Sequence, residues 1–240
     1  MVRFRPYPGA TIASLIAFVI LCGLGSWQLE RLQWKLALIE TVNRNLKAPP
    51  LTLDQVLALE GDAAQYRPVT VGGRFDHGKE AYTFTTSAAG EGIYHVLTPL
   101  MLADGRMLLI DRGAVTESVL DPAKRAAGNP QGVVSITGIW RTPDPPGAFT
   151  PAPDRARQIW YARDVAGIAA ANGLRLAAPV VIDADATPNP GGWPRGGQTV
   201  VEFRNQHLSY AVTWFGLAAC LLGVWLAFHI SRGRLAWGRG

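Results

Sequence analysis

The sequence predicts a membrane protein with two terminal transmembrane helices flanking an α+β extracytoplasmic domain rich in antiparallel β-strands, barrel- or sandwich-like. Three observations predict it. No charged residue occurs between Arg5 and Glu30, and none between Arg204 and Arg232. The excess of positive charge is confined to the two tails beyond those stretches. Between them the hydrophobic pattern repeats every second residue, with turn sequences at short intervals.

The uncharged stretches come first in the argument. A bilayer core of about 30 Å needs about 20 helical residues, and each stretch is longer than that. A soluble protein seldom buries two such helices at its two ends. A cleaved signal peptide is the other reading of the first stretch. However, its apolar run continues through Trp27 into an amphipathic segment, as an uncleaved anchor does. The predicted organisation is therefore a tail (1–9), a first span (10–29), an extracytoplasmic domain (30–204), a second span (205–230) and a tail (231–240).

The net charge of +5 is not a nucleic-acid footprint. Arg3, Arg5, Arg232, Arg234 and Arg239 lie in the tails, and the remaining 18 basic residues face 18 acidic ones in the domain. Basic residues beside spans mark the cytoplasmic side, so both termini are expected there and the domain outside. With short tails and no transit peptide, the expected location is a bacterial inner (cytoplasmic) membrane with a periplasmic domain, rather than the mitochondrial inner membrane. Cys22 and Cys220 fall inside the spans at different depths, and no disulfide is expected between them. The chain has no CxxCH and no paired-cysteine copper motif, which argues against a c-type cytochrome, a thiol oxidoreductase and a thiolate copper chaperone.

After the first span, Leu29, Leu32, Leu36, Ile39, Val42 and Leu46 recur at helical spacing until Pro49-Pro50 stops them. A short helix is expected over 52–59. From Tyr66 the period becomes two. RPVTVGGRF and EAYTFTT form one predicted hairpin across DHGK, and IYHVLTPLML and RMLLIDRGAV a second across Ala103-Asp104-Gly105. VVSITGIWR, RQIWYA, APVVIDA and TVVEF add strands, with brief helical pieces over 122–127 and 164–172.

No catalytic set assembles from these residues, so no enzyme is predicted. GxSxG, HExxH and the P-loop are absent. His77 sits in a turn and reads as a solvated loop histidine; His95 sits mid-strand and reads as a hydrogen-bonded sheet residue. The membrane boundary says more. His207 opens the second span, with Tyr210 and Trp214 following at i+3 and i+7 on the same helical face. One reading is an interfacial aromatic belt. The other is a ligand site, because a neutral imidazole is a good axial ligand for haem iron and flanking aromatics suit a flat macrocycle. Arg31, Lys35 and Arg204 lie at the same membrane face, where they would either snorkel or pair with haem propionates. His229, about 33 Å further along the helix, cannot share that site.

The pieces LGSWQLERLQWK (24–35), YRPVTVGGRF (66–75), GIYHVLTPL (92–100), LLIDRGAV (108–115), VSITGIWR (134–141) and NQHLSYAVTWFGLA (205–218), in this order between two terminal spans, resemble the Surfeit-locus protein 1 family. The resemblance implies a cytochrome c oxidase assembly factor that binds haem a transiently and assists its insertion into the oxidase's largest subunit. It implies His207 as ligand to the haem iron; Tyr210, Trp214, Arg31 and Arg204 join it in the expected cofactor-binding set from their place beside it at the membrane boundary. The implied partners are that subunit, a haem a synthase and the membrane, with no nucleic acid. A homo-oligomer with paired second spans could also hold one haem. The alternative implied role is a cofactor-free membrane scaffold bridging synthase and oxidase subunit. The Gly92-Ile93-Tyr94 and Asp111-Arg112-Gly113 motifs read as folding elements, and the Pro-rich loop from Pro143 to Asp154 departs from the family pattern.

Overall fold

The computed structural model describes residues 2–87, 89–199, 203 and 205–237. The chain divides into two units, Met1–Thr41 with Glu202–Gly240, and Val42–Val201.

In the first unit, strand β1 (Val2–Phe4) precedes helix α1 (Pro8–Leu46), whose last residues from Val42 belong to the second unit. Helix α4 (His207–Ser231) is followed by strand β10 (Leu235–Trp237), which pairs antiparallel with β1. Both long helices are apolar enough to cross a membrane. At 1.5 Å per residue α1 is about 58 Å long, nearly twice a bilayer core, so its second half forms the amphipathic extension that the apolar spacing predicts. Lys47 and Ala48 close it ahead of the two prolines. Leu15, Ile16, Val19 and Ile20 of α1 and Val212, Leu217 and Val224 of α4 stay exposed, as lipid-facing residues do. The faces that meet are built from smaller groups. Ala211 and Ala218 are buried, and the Phe215 ring lies where a side chain at Gly25 would have to go.

The second unit is a barrel. Strand β2 (Leu51–Thr52) leads into helix α2 (Leu53–Leu57), started by a capping box in which the Gln55 N–H donates to Thr52 Oγ1 and the Thr52 N–H to Gln55 Oε1. Strands β3 (Pro68–Phe75), β4 (Ala81–Thr86), β5 (Gly92–Met101), β6 (Met107–Val115) and β7 (Val133–Arg141) follow. Then come β8 (Ile159–Trp160), helix α3 (Val165–Asn172) and β9 (Leu176–Ala184). The sheet order is β2-β3-β7-β9-β6-β5-β4-β8, and a further β3–β5 pairing closes β3, β7, β9, β6 and β5 into a five-stranded barrel.

Most pairs are antiparallel, but β6–β9, β2–β3 and β4–β8 are parallel. Counting consecutive hairpins alone leaves these out. A parallel neighbour needs a long crossover, and the chain from Val115 to Leu176, which includes α3, supplies it for β6–β9. Alternation decides the core. Val69, Val71, Phe75, Leu108, Ile110, Val180 and Ile182 fill the barrel with Leu100 and Trp140. Leu109 and Val181 face the other way and pack with α3 through Val165 and Ile168. Both faces of β6 and β9 are therefore covered, which is why LLI and VVI read as unbroken apolar runs.

Other differences from the sequence reading are small. RQIWYA shortens to Ile159–Trp160, and Pro122–Gly128 is 3-10 rather than α-helical, with a break at Arg125. The predicted strand TVVEF falls on residues 199–203, of which 200–202 lie outside the described residues. Helix α3 has the expected bounds, capped by Asp164 on the Gly167 N–H at 2.9 Å and ended by left-handed Gly173.

Candidate functional site

In the first unit, the uncharged run of α1 ends near Gln28, and α4 begins at His207. One face of α4 carries His207, Ala211, Trp214, Ala218, Trp225 and His229, all buried or half-buried. His207 is thus turned toward α1. Its ring Nδ1 lies 2.8 Å from Gln28 Oε1, and its backbone N–H donates to Asn205 Oδ1 at 3.3 Å. Its other ring nitrogen, Nε2, has no hydrogen-bond partner among the described residues. His207 lines an open cleft of about 250 Å³ with Gln28, Gln206 and Tyr210.

The five predicted residues divide. His207 and Tyr210 come together at the cleft, Tyr210 with half its surface exposed. Trp214 sits one turn further on, half-buried, and is not part of the cleft lining. Arg31 is exposed and its guanidinium stacks 4.4 Å above the Trp34 ring. Arg204 lies outside the described residues. Lys35 is half-buried, with Nζ 4.7 Å above the ring of Phe203, in the segment leading into α4. Gln28 was visible in the sequence only as one polar residue at the edge of an apolar run. Its burial, at 9% exposure amid exposed Trp27, Leu29 and Glu30, gives it a role that the sequence reading missed.

His229 is spent elsewhere. It is fully buried; Nδ1 donates to the Trp225 carbonyl at 2.8 Å, and Nε2 accepts the Tyr7 N–H at 3.2 Å. Trp225 Nε1–H in turn donates to Thr11 Oγ1 at 3.3 Å. This histidine ties the end of α4 to the start of α1.

Two networks gather much of the barrel's buried charge. Glu80 is buried against Arg125 at 2.5 Å and Arg112 at 3.4 Å, and accepts from Tyr82 and Thr98. Arg112 also donates to the Gly128 carbonyl and to Asn129 Oδ1, and lies over Phe75. Burial works to raise the Glu80 carboxyl, but the Arg125 hydrogen bond and both guanidinium charges outweigh it and hold the group below its ordinary value. Burial, followed by the Glu80 charge, pushes the Tyr82 hydroxyl up to about 12. His77 belongs to this network rather than to solvent: its ring is 3.5 Å from Glu80 and 3.1 Å from the Pro130 carbonyl. In the second network His95 Nδ1 meets Asp111 at 2.8 Å, and Arg163 links Asp111 at 3.6 Å to Asp183 at 3.1 Å. Burial would lower the His95 ring, yet the Asp111 charge and hydrogen bond raise it overall. Asp111-Arg112-Gly113 is thereby the junction of both networks, with Gly113 at φ 113° against the Arg195 carbonyl, where a Cβ would collide. Among the described residues no cluster of His, Cys, Asp and Glu is suited to a metal ion.

The SURF1 family model matches residues 15–219, a range holding most of α1, the barrel, the first half of α4 and the cleft. The chain belongs to the SURF1 family. It is similar to the SURF1-like protein of Monosiga brevicollis, with 39% identity over 231 residues, covering 90% of this chain and 85% of the relative. Surfeit locus protein 1 of Homo sapiens is 36% identical over 220 residues, covering 85% of this chain and 72% of the relative. That of Takifugu rubripes is 33% identical over 226 residues, covering 88% and 92%. Family membership thus extends through His207 and Gln28 as well as through the barrel.

Proposed function

We propose that the chain is a cytochrome c oxidase assembly factor that holds haem a transiently at the head of α4 and passes it toward the oxidase's largest subunit, receiving it from a haem a synthase. The observation that carries the reading is His207. It is a half-buried imidazole with one nitrogen hydrogen-bonded to Gln28 and the other without a hydrogen-bond partner among the described residues, at a cleft beside an exposed tyrosine. A neutral imidazole of that kind is the donor that haem iron takes from a protein.

The residues present fit such a cargo. The cleft of about 250 Å³ is smaller than the roughly 300–1,000 Å³ of pockets that enclose a drug-sized ligand, so a macrocycle would be gripped at its edge and remain open. A partly open grip suits release to another protein. Arg31 and Lys35 supply cations on the same helix within two turns of Gln28, available to the propionates, and Arg204 is assigned to the same task. Trp214, half-buried on the same face of α4 as His207, is assigned with Tyr210 to shaping the site. Pairing of two copies through their second spans is compatible with the same site. The tail arginines place both tails on the side of the membrane where basic residues are retained and the barrel on the opposite side. The buried barrel groups Glu80, Arg112, Arg125, His95, Asp111 and Asp183 are paired with one another or with Arg163, which suits a structural role for them.

The test is an absorption spectrum of the full chain purified from cells that make haem a, beside His207→Ala. A haem a band that falls at least tenfold in the variant, with thermal stability kept, supports the reading. A colourless wild-type protein that still captures the oxidase subunit would instead make the chain a scaffold.

A further inference from the structure

We infer that Gln28 is the positioning residue of this site: its amide oxygen fixes the His207 ring in the tautomer protonated at Nδ1, so that Nε2 is the atom presented to iron. The inference rests on the haem reading above and adds to it the ligating atom and what selects it.

A buried amide on a helix–helix seam costs free energy unless it is hydrogen-bonded. Gln28 is 9% exposed, and among the described residues its side chain makes one hydrogen bond, to His207. An amide oxygen can only accept, so at 2.8 Å the ring nitrogen facing Oε1 is the donor, Nδ1–H. A neutral imidazole protonated there carries its lone pair on Nε2. A histidine ligand ordinarily gives its other N–H to a fixed acceptor, which sets ring orientation and makes the ligating nitrogen more basic. Gln28 and His207 stand in that relation.

His229, on the same helix, shows the alternative. With both of its nitrogens engaged by Trp225 and Tyr7, it has no lone pair to offer. At His207 one ring bond is made, and among the described residues there is no second.

Packing explains why the amide reaches. Gly25, one turn before Gln28, has no Cβ; one placed there would lie 2.7 Å from the Phe215 ring. The ring occupies that space, two turns after His207, and lets α4 approach α1 closely enough for Gln28 to span the gap. The Asn205 contact holds only the backbone N–H of His207 and sets the start of the helix, not the ring.

The test uses the full-length protein in detergent, labelled with nitrogen-15 at histidine, together with haem a titrations. His207→Ala identifies the resonances. In the ligand-free wild type, His207 is expected to show a protonated Nδ1 and an unprotonated Nε2. Gln28→Leu is expected to mix the tautomers and weaken haem a binding by about tenfold. Gln28→Glu, which keeps an acceptor oxygen at the same reach, is expected to restore both and to lower the reduction potential of the bound iron. That rescue keeps the test informative should the leucine variant fold poorly. A proton on Nε2 in the wild type, or wild-type tautomer and affinity in Gln28→Leu, overturns the inference while leaving His207 as a ligand. If instead His207→Ala still takes up haem a as the wild type does, the haem reading itself fails, whatever the tautomer, and the ligand-atom assignment falls with it.

Discussion

The barrel and the helix pair treat buried polar groups in opposite ways. In the barrel, charge is gathered into networks of several partners each: Glu80 meets two arginines, a tyrosine and a threonine, while Asp111 meets His95, Arg163 and the Gly113 N–H. In the helix pair, polar side chains are few and mostly singly bonded: Gln28 to His207, and Trp225 to Thr11. A multiply bonded network stabilises one packing. A singly bonded side chain keeps capacity for a further contact. Titratable residues are more numerous in the barrel, while the half-buried histidine with one ring contact, His207, stands at the head of the second long helix.

The comparison breaks most visibly at Glu80. Replacing it with alanine leaves two buried guanidinium groups without their counter-charge, and removing one partner of a buried ion pair typically costs about 3–5 kcal/mol. Denaturant unfolding of the purified protein followed by near-ultraviolet circular dichroism should show a loss of that order in Glu80→Ala. A loss below about 1 kcal/mol would mean that water reaches the arginines and that the network is not closed.

The same contrast shows what the sequence discloses. Span positions, the amphipathic extension of α1 and most barrel strands follow from charge gaps and periodicity, which are local properties. The parallel β6–β9 closure does not, because it joins residues more than sixty positions apart, and no local pattern distinguishes a parallel from an antiparallel neighbour. His207 stood out because a histidine at the head of an apolar helix is conspicuous, but the residues alone left an interfacial belt as the other reading. Gln28 was legible only as sharing that membrane face; its contact depends on a partner 179 residues away. For the same reason His77 read as a loop residue: Glu80 is close to it in sequence, but the arginines that bury Glu80 come from β6 and from the 3-10 segment after it. Arg204 lies outside the described residues, so only the sequence speaks for it.

A smaller effect, with a definite sign in pH, sharpens the comparison at His95. Its ring is raised above the ordinary histidine value by Asp111, against burial and the Arg163 charge, with Asp183 adding to the rise. A raised histidine stabilises fully below its unfolded value, about 6.5, and the contribution disappears as pH rises through the folded value. Asp111 is held low and loses its contribution only as pH falls through that depressed value, well outside the tested range. The stability gap between wild type and His95→Asn should therefore be largest near pH 5.5 and should shrink toward pH 9. A gap that widens with rising pH would show the ring to be neutral in the folded barrel.

The smallest expected effect is at Arg31, where the helix pair meets solvent. Its guanidinium is exposed above Trp34, an arrangement worth about 0.5–1 kcal/mol at most. Arg31→Ala should leave thermal stability nearly unchanged. If Arg31 meets a propionate, haem a affinity should fall by about two- to fivefold at low ionic strength, because exposed charge pairs contribute only about 0–1 kcal/mol. Most of that loss should vanish at about 1 M salt, where the screening length is near 3 Å. Glu80→Ala measured in the same buffers provides the contrast, since a buried ion cluster is screened far less. A haem a affinity that Arg31→Ala lowers equally at both salt concentrations would place that guanidinium against the bound haem, shielded from solvent, and the cleft would then be more enclosed than the free protein shows.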